Sequence, residues 1–257
     1  MHLQKIIKFA FVATCFILAA NSSIAQHRAY DSTTANILNE IAVIQSVLQQ
    51  TPYLSFDATY VMEDIDSVTV RDTIPAKYKL NGNNMYLIML KDTIEGIQNE
   101  NYFASVYHSN KTIVVQKPVA FAKQLFQVDV SDTLFQNMAM SGATASDIGN
   151  GARTITILFD SNALYKSYSI IYITSTFRPI AVSYSLKKEL NPASTKVVNF
   201  NLFLGNYQTG TFTNAVFSTN SIIVVNGSSD IRLASCVDPA YEIVNLIEPV
   251  VNINPIN

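Results

Sequence analysis

The chain has 257 residues, with 17 Lys and Arg against 19 Asp and Glu, for a formal net charge of −2. It holds no cluster of basic residues, which argues against nucleic acid as a partner. Three histidines and two cysteines leave little material for a metal centre, and no cofactor is expected.

Residues 1–25 have the parts of a cleavable secretory leader. Lys5 and Lys8 form a short positive region, and Phe9 to Ala20 an apolar run of about twelve residues, inside the ~7–15 of a signal peptide and short of the ~20 that span a bilayer. Ser23, Ile24 and Ala25 then offer small residues at a cleavage site before Gln26. Losing Lys5 and Lys8 takes the net charge from −2 to −4. Cys15 follows Val12, Ala13 and Thr14 in a faint lipobox. Thr14 and the apolar residues continuing past Cys15 argue instead for an ordinary leader cysteine. The expected product is periplasmic or extracellular, without a transmembrane segment. Only Cys236 remains in it, so no intramolecular disulfide can form, and Cys236 is expected to be buried and structural.

Asp31 and Ser32 can start a helix, and Ile37, Leu38, Ile41, Ile44, Val47 and Leu48 repeat with a period near 3.6. This predicts one amphipathic helix over 32–50, stopped by Pro52. From Leu54 the period becomes two: Leu54, Phe56, Ala58, Tyr60 and Met62 alternate with more polar residues, as in a half-buried antiparallel strand. Further strands are expected from Val68 and Val70, over 77–80 and 85–90, then 94–98, 102–108 and 112–116, with a turn at Asn81-Gly82. Residues 119–140 lose the alternation and suit one or two short helices. The small, Gly-rich stretch 141–152 reads as a surface loop or a mobile lid. Strands resume over 154–160, 167–175, 180–187, 197–204, 211–217, 222–225, 231–234 and 241–247.

Many short strands with few helices exclude a parallel α/β sheet. The expected fold is mainly β: a highly curved antiparallel sheet, an open half-barrel, covered by the N-terminal helix and one or two short central helices. A barrel or a sandwich are the other closures of such a strand set. The domain is expected to span 26–247, with an Asn- and Pro-rich tail at 248–257.

No nucleophile elbow, dinucleotide or phosphate-loop motif is present. His108 at a strand end reads as solvent-facing, and the acidic run Glu63, Asp64 and Asp66 with Asp72 lacks the glycine and further carboxylate of known calcium loops. A hydrolase with carboxylate or serine chemistry ranks behind two binding readings. What stands out is 13 Tyr and 14 Phe with no Trp. Phe56, Tyr60, Tyr86, Phe103 and Tyr107 fall in the first group of strands, and Phe159, Tyr172, Tyr184 and Phe200 in the second. They serve as core packing, or line an apolar cavity suited to an acyl chain.

The helix, the strand Tyr53 to Tyr60, the hairpin Lys77 to Gly82, the segment Asn99 to Phe103, and Thr156 to Asp160 followed by Leu164 to Lys166 come in an order that resembles periplasmic lipoprotein carriers of the Lol type and their lipoprotein-sorting relatives. The resemblance covers roughly residues 32–187. It implies a half-barrel whose apolar concavity, lidded by helices, receives the acyl chains of a lipid or lipoprotein, without catalysis. The family's lid-latching arginine has no counterpart, Arg71 falling in an expected turn, and the chain beyond Val197 exceeds the family's usual length. Phe56, Tyr60, Tyr86 and Phe103 are the candidate lining residues. The alternative partner reading is an adhesin-like sandwich acting through its surface.

Overall fold

The computed structural model describes residues 32–64, 71–90, 93–120, 125–126, 140–161, 163, 165–187, 197–226 and 230–247. The expected leader, Val68 and Val70, most of the central helical segment and the C-terminal tail lie outside these residues.

Helix α1 spans Ser32–Gln50, the range read from the periodicity. Ile37, Ile41, Ile44 and Leu48 form its stripe, spaced four, three and four apart, and all are buried. Each such side chain contributes roughly 1.5–3 kcal/mol when taken from water. The helix stops where Pro52 follows, with Thr51 Oγ1 donating to the Val47 carbonyl at 2.7 Å.

The stripe rests on a 12-stranded sheet. In chain order its first members are β1 (Leu54–Asp64), β2 (Arg71–Asn81), β3 (Asn84–Met89), β4 (Ile94–Gln98), β5 (Phe103–Tyr107) and β6 (Thr112–Gln116). They are followed by β7 (Met140–Gly149), β8 (Ala152–Phe159), β9 (Tyr165–Ile173), β10 (Arg178–Lys187) and β11 (Val197–Thr209). A hairpin of β12 (Ile223–Asn226) and β13 (Asp230–Leu233) stands apart, and β14 (Glu242–Asn245) returns to the large sheet. The spatial order is β14-β6-β5-β4-β3-β2-β1-β11-β10-β9-β8-β7. Two local meanders, β1–β6 and β7–β11, are thus sewn together by the antiparallel pair β1/β11. Among the described strands only β14 runs parallel to its neighbour, β6. The edges β7 and β14 do not pair with each other, so the sheet curls around α1 as an open half-barrel.

Strand alternation sends Leu54, Phe56, Ala58, Tyr78, Leu80, Met85, Leu87, Ile155, Ile157, Tyr168, Ile170, Val182, Leu202 and Leu204 into one core with the helix stripe. A second, smaller core lies on the opposite face of β3–β6, where Ile97, Ala104, Val106, Ile113 and Val115 meet Ile222 and Ile223 under the β12/β13 hairpin. Farther along that outer face the strands carry paired small polar groups: Ser183 Oγ donates to Asn201 Oδ1 at 2.8 Å and Ser185 Oγ to Asn199 Oδ1 at 2.6 Å.

Four local expectations are corrected. Residues 140–149 are strand β7, not a loop: their Gly142 and Gly149 mark register shifts at the two ends of the β7/β8 pairing, the usual place of bulges. The segment expected as a strand over 211–217 is irregular as far as Thr213 and then a 3-10 turn, Asn214–Phe217, that buries Phe217. Arg71 opens β2 instead of lying in a turn. Cys236 is exposed, with its Sγ 3.4 Å from the Ser221 carbonyl oxygen, since it lies in a surface turn outside both cores. Within 119–140, Leu125 and Phe126 are helical and buried.

Candidate ligand-binding face

At the end of the helix-side face formed by the last residues of β1 and β10, aromatic rings follow one another from strand to strand. Tyr184 on β10 stacks on Phe200 of β11 with ring centroids 4.8 Å apart and 14° between planes. Tyr165 on β9 meets the Tyr184 ring edge-on at 6.0 Å and the Phe159 ring of β8 at 5.8 Å. Met62 on β1 lies opposite Phe200. Tyr60 stands one inward step along the same strand, and Tyr168 is wholly buried beneath the group. The band therefore crosses β1, β11, β10, β9 and β8.

A bulge is what assembles it. Ser185 pairs with Ser167, yet the next residue of β10, Leu186, pairs with Tyr165. Lys166 is the extra residue, and it is exposed. In a regular strand Tyr165 and Tyr168, three positions apart, would point to opposite faces, and the bulge that absorbs Lys166 puts them on one. A second bulge, between Ser55/Gln208 and Asp57/Gly205, brings Tyr207 to the helix side, where its ring lies 5.4 Å from Phe56.

The band is apolar in body and neutral in charge. Burial pushes the Tyr60 hydroxyl well above the ordinary phenol range, helped by its neighbour Tyr78. Burial also raises Tyr165, Tyr168 and Tyr184, and takes Tyr78 up to about 12. Desolvation disfavours the charged phenolate in each case. Of these hydroxyls, those of Tyr60 and Tyr78 hydrogen-bond to each other inside the apolar wall.

Of the four candidate lining residues, three share this side of the sheet. Phe56 is buried and stacks on Tyr78 at 5.1 Å with planes 12° apart. Tyr60 and Phe103 are half-buried against the same core. Gly96 makes room for Phe103: a Cβ there would come within 3.2 Å of the Phe103 ring. Tyr86 stands on the other face, against the second core, with the Lys79 ammonium 5.4 Å from its ring centre. The structure thus brings Phe56, Tyr60 and Phe103 to one side and Tyr86 to the other. Tyr78, Tyr165 and Tyr168 were not singled out from sequence. Tyr168 keeps the alternation of Ile170 and Tyr172, whereas Tyr165 escapes it because of the bulge, although two tyrosines three apart in a strand are the available signal.

At the opposite rim α1 is fastened to the sheet by polar contacts. Glu40 accepts a hydrogen bond from the Tyr172 hydroxyl and faces Arg153 Nε of β8 at 3.1 Å. Arg153 Nη1 also lies 3.4 Å from Asp147 Oδ1 of β7. Burial, then the hydrogen bond to Glu40, raises the Tyr172 phenol. Grooves flank this clasp on both sides, one lined by Asn39, Val43, Tyr172 and Phe177, the other by Asn36, Ile37, Ala143, Thr144 and Ala145.

His108 is exposed, with Nδ1 2.7 Å from the Tyr241 hydroxyl and Nε2 3.6 Å from Glu95 Oε2. This ties the C-terminal segment to β4 and β5. Among the described residues no three His, Cys, Asp or Glu side chains cluster to hold a metal ion, and no helix is long and apolar enough to cross a membrane.

No family model and no curated protein matches the sequence. Solved structures similar in fold include a conserved protein of Thermus thermophilus, with TM-score 0.43 and 11% identity over 83% of this chain and 99% of that one. They also include a LolA superfamily protein of Nitrosomonas europaea, with TM-score 0.34 and 11% identity over 73% and 98% of the two chains. A third is a domain of Vibrio parahaemolyticus described as an outer membrane lipoprotein-sorting protein, with TM-score 0.33 and 8% identity over 71% and 96%. The group that the sequence resembles is therefore represented among these structures, and the functional reading below rests on the chain's own geometry.

Proposed function

We propose that this is an exported, non-catalytic envelope protein, processed near Ala25, that binds a lipid or lipoprotein acyl chain on the helix side of its curled sheet. The observation that carries this reading is the aromatic band across five strands, half-buried at Tyr60, Tyr165 and Tyr184 where a closed core would bury its rings completely. An acyl chain suits such a wall because its methylenes need only apolar contact. About six methylenes, once fully buried, contribute ~5 kcal/mol against the cost of association. Phe56 and Phe103 extend the apolar wall under the helix.

The test is native purification of the chain followed by solvent extraction and mass spectrometry, paired with titration by a pyrene-labelled palmitoyl ester. Acyl lipid recovered with the protein, and saturable pyrene binding lost in Phe200→Asp, is the expected result. Lipid-free protein that fails to bind the pyrene ester overturns the reading.

A further inference from the structure

We propose a second binding site, for an extended peptide, along the outer edge of β7 over Gly142–Asp147 beside helix α1. Among the described residues β7 pairs with β8 alone, so the outer row of its main-chain N–H and C=O groups faces away from the sheet. Such a row is a template for another strand, and proteins ordinarily blunt it with Lys, Pro or short length. The other edge follows that rule, β14 having four residues. By contrast β7 is ten residues long and contains no Lys, Arg or Pro. Its two register shifts lie at its ends, leaving Gly142–Asp147 in regular pairing.

The surroundings define the partner. Ala143, Ala145 and Asp147 share the helix side of β7, being opposite Ile157, Ile155 and Arg153. Between this side and α1 runs the groove of about 400 Å³ lined by Asn36, Ile37, Glu40, Ala143, Thr144, Ala145 and Arg153. A strand added to β7 would drop its alternate side chains into that groove next to the two alanines, where medium apolar groups fit. Farther along, Asp147 is 76% exposed, and together with Glu40 it outnumbers Arg153, the cation that both face among the described residues. The occupant is therefore an extended segment with apolar residues at two alternate positions and a Lys or Arg two positions on. A second copy of this chain fits less well, since β7 brings no cation to Asp147.

The probes are two fluorescein-labelled peptides, TKTVTVT and TVTVTKT, one for each strand direction, titrated against the full chain by anisotropy. One is expected to bind at least fivefold more tightly than the other. Asp147→Lys should weaken that peptide about fivefold or more, as for loss and reversal of an exposed ion pair, and Ala145→Trp should abolish binding by filling the groove. Asp147→Lys lies on the surface, so it remains informative if Ala145→Trp fails to fold. No binding of either peptide, equal binding by Asp147→Lys, or a concentration-dependent dimer of the chain that excludes the peptide overturns the proposal. Pyrene-ester binding should not change in Asp147→Lys, which separates this site from the acyl-binding reading.

Discussion

The phenolic oxygens of Tyr60 on β1 and Tyr78 on β2 are 2.5 Å apart, although neither residue is the other's partner in the ladder: Tyr60 is opposite Ile74, and Tyr78 opposite Phe56. They meet diagonally, within reach of long side chains on one face of a twisted sheet. Each hydroxyl satisfies the other in a place where water does not reach easily. Tyr78→Phe should therefore cost about 1–3 kcal/mol by leaving Tyr60 with an unmet hydroxyl, whereas the double change to Phe should cost less than the single one. Urea unfolding of the four members of the cycle measures this.

The same pair contributes to a pH response, together with the buried Tyr168 and Tyr184. Folded phenols with raised pKa hold their protons after unfolded ones begin to lose them. Their contribution is fully present below the unfolded value near 10 and is lost as pH rises through it toward the folded values, about 12 for Tyr78 and higher than ordinary for Tyr60. Stability followed by urea midpoint is expected to fall steeply above about pH 10. Tyr60→Phe/Tyr78→Phe should lessen the fall, and an unchanged slope would remove the pair as a contributor.

The clasp at the rim should be modest in energy. Arg153 and Glu40 are partly solvated, so Glu40→Gln is expected to cost about 1 kcal/mol or less. The loss should shrink in high salt. Thermal unfolding of Glu40→Gln, Arg153→Met and their double variant at two salt concentrations provides the coupling.

The helix stripe should matter far more. Leu48 is fully buried against the sheet, and Leu48→Ala is expected to lose about 2–5 kcal/mol. Exposed Val43→Ala, on the same helix, should change stability by less than about 0.5 kcal/mol. Equal effects in chemical denaturation would mean that α1 is not held by its stripe.

Replacing Gly96 tests whether Phe103 is held in place. Gly96→Val puts methyls where the ring now lies, so Phe103 must move. Loss of the Phe103 side-chain contacts to the core should appear in nuclear magnetic resonance spectra as shifted resonances of Leu87, with a stability loss of about 1–3 kcal/mol.

Much of the fold could be read because burial here follows simple periods. The stripe of Ile37, Ile41, Ile44 and Leu48 and the alternation of Leu54 to Tyr60 have one buried side each, so sequence and structure agree. Strand β7 was missed because its inward side must be small beneath α1: Ala143 and Ala145 give no apolar alternation, and its glycines imitate a loop. Tyr86 could not be assigned a face from alternation, since β3 has a core on both sides, with Met85 and Leu87 facing one and Tyr86 the other. Tyr165 depended on the bulge at Lys166, and a one-residue insertion leaves no mark in composition. Glu40 and Arg153 are 113 positions apart, and nothing local pairs them.

The seam between β1 and β11 also sets the order of assembly. Each meander can form from neighbouring hairpins, which close quickly, but their union joins Leu54 to Thr209 and Asp64 to Val198. Contacts so distant along the chain must pay loop entropy before they return any binding energy, and they slow folding. The central ladder of the sheet must wait until β11 has been delivered. Before that the helix-side face of β1 has only half its neighbours, and its aromatic and aliphatic side chains are open to whatever apolar company is nearby.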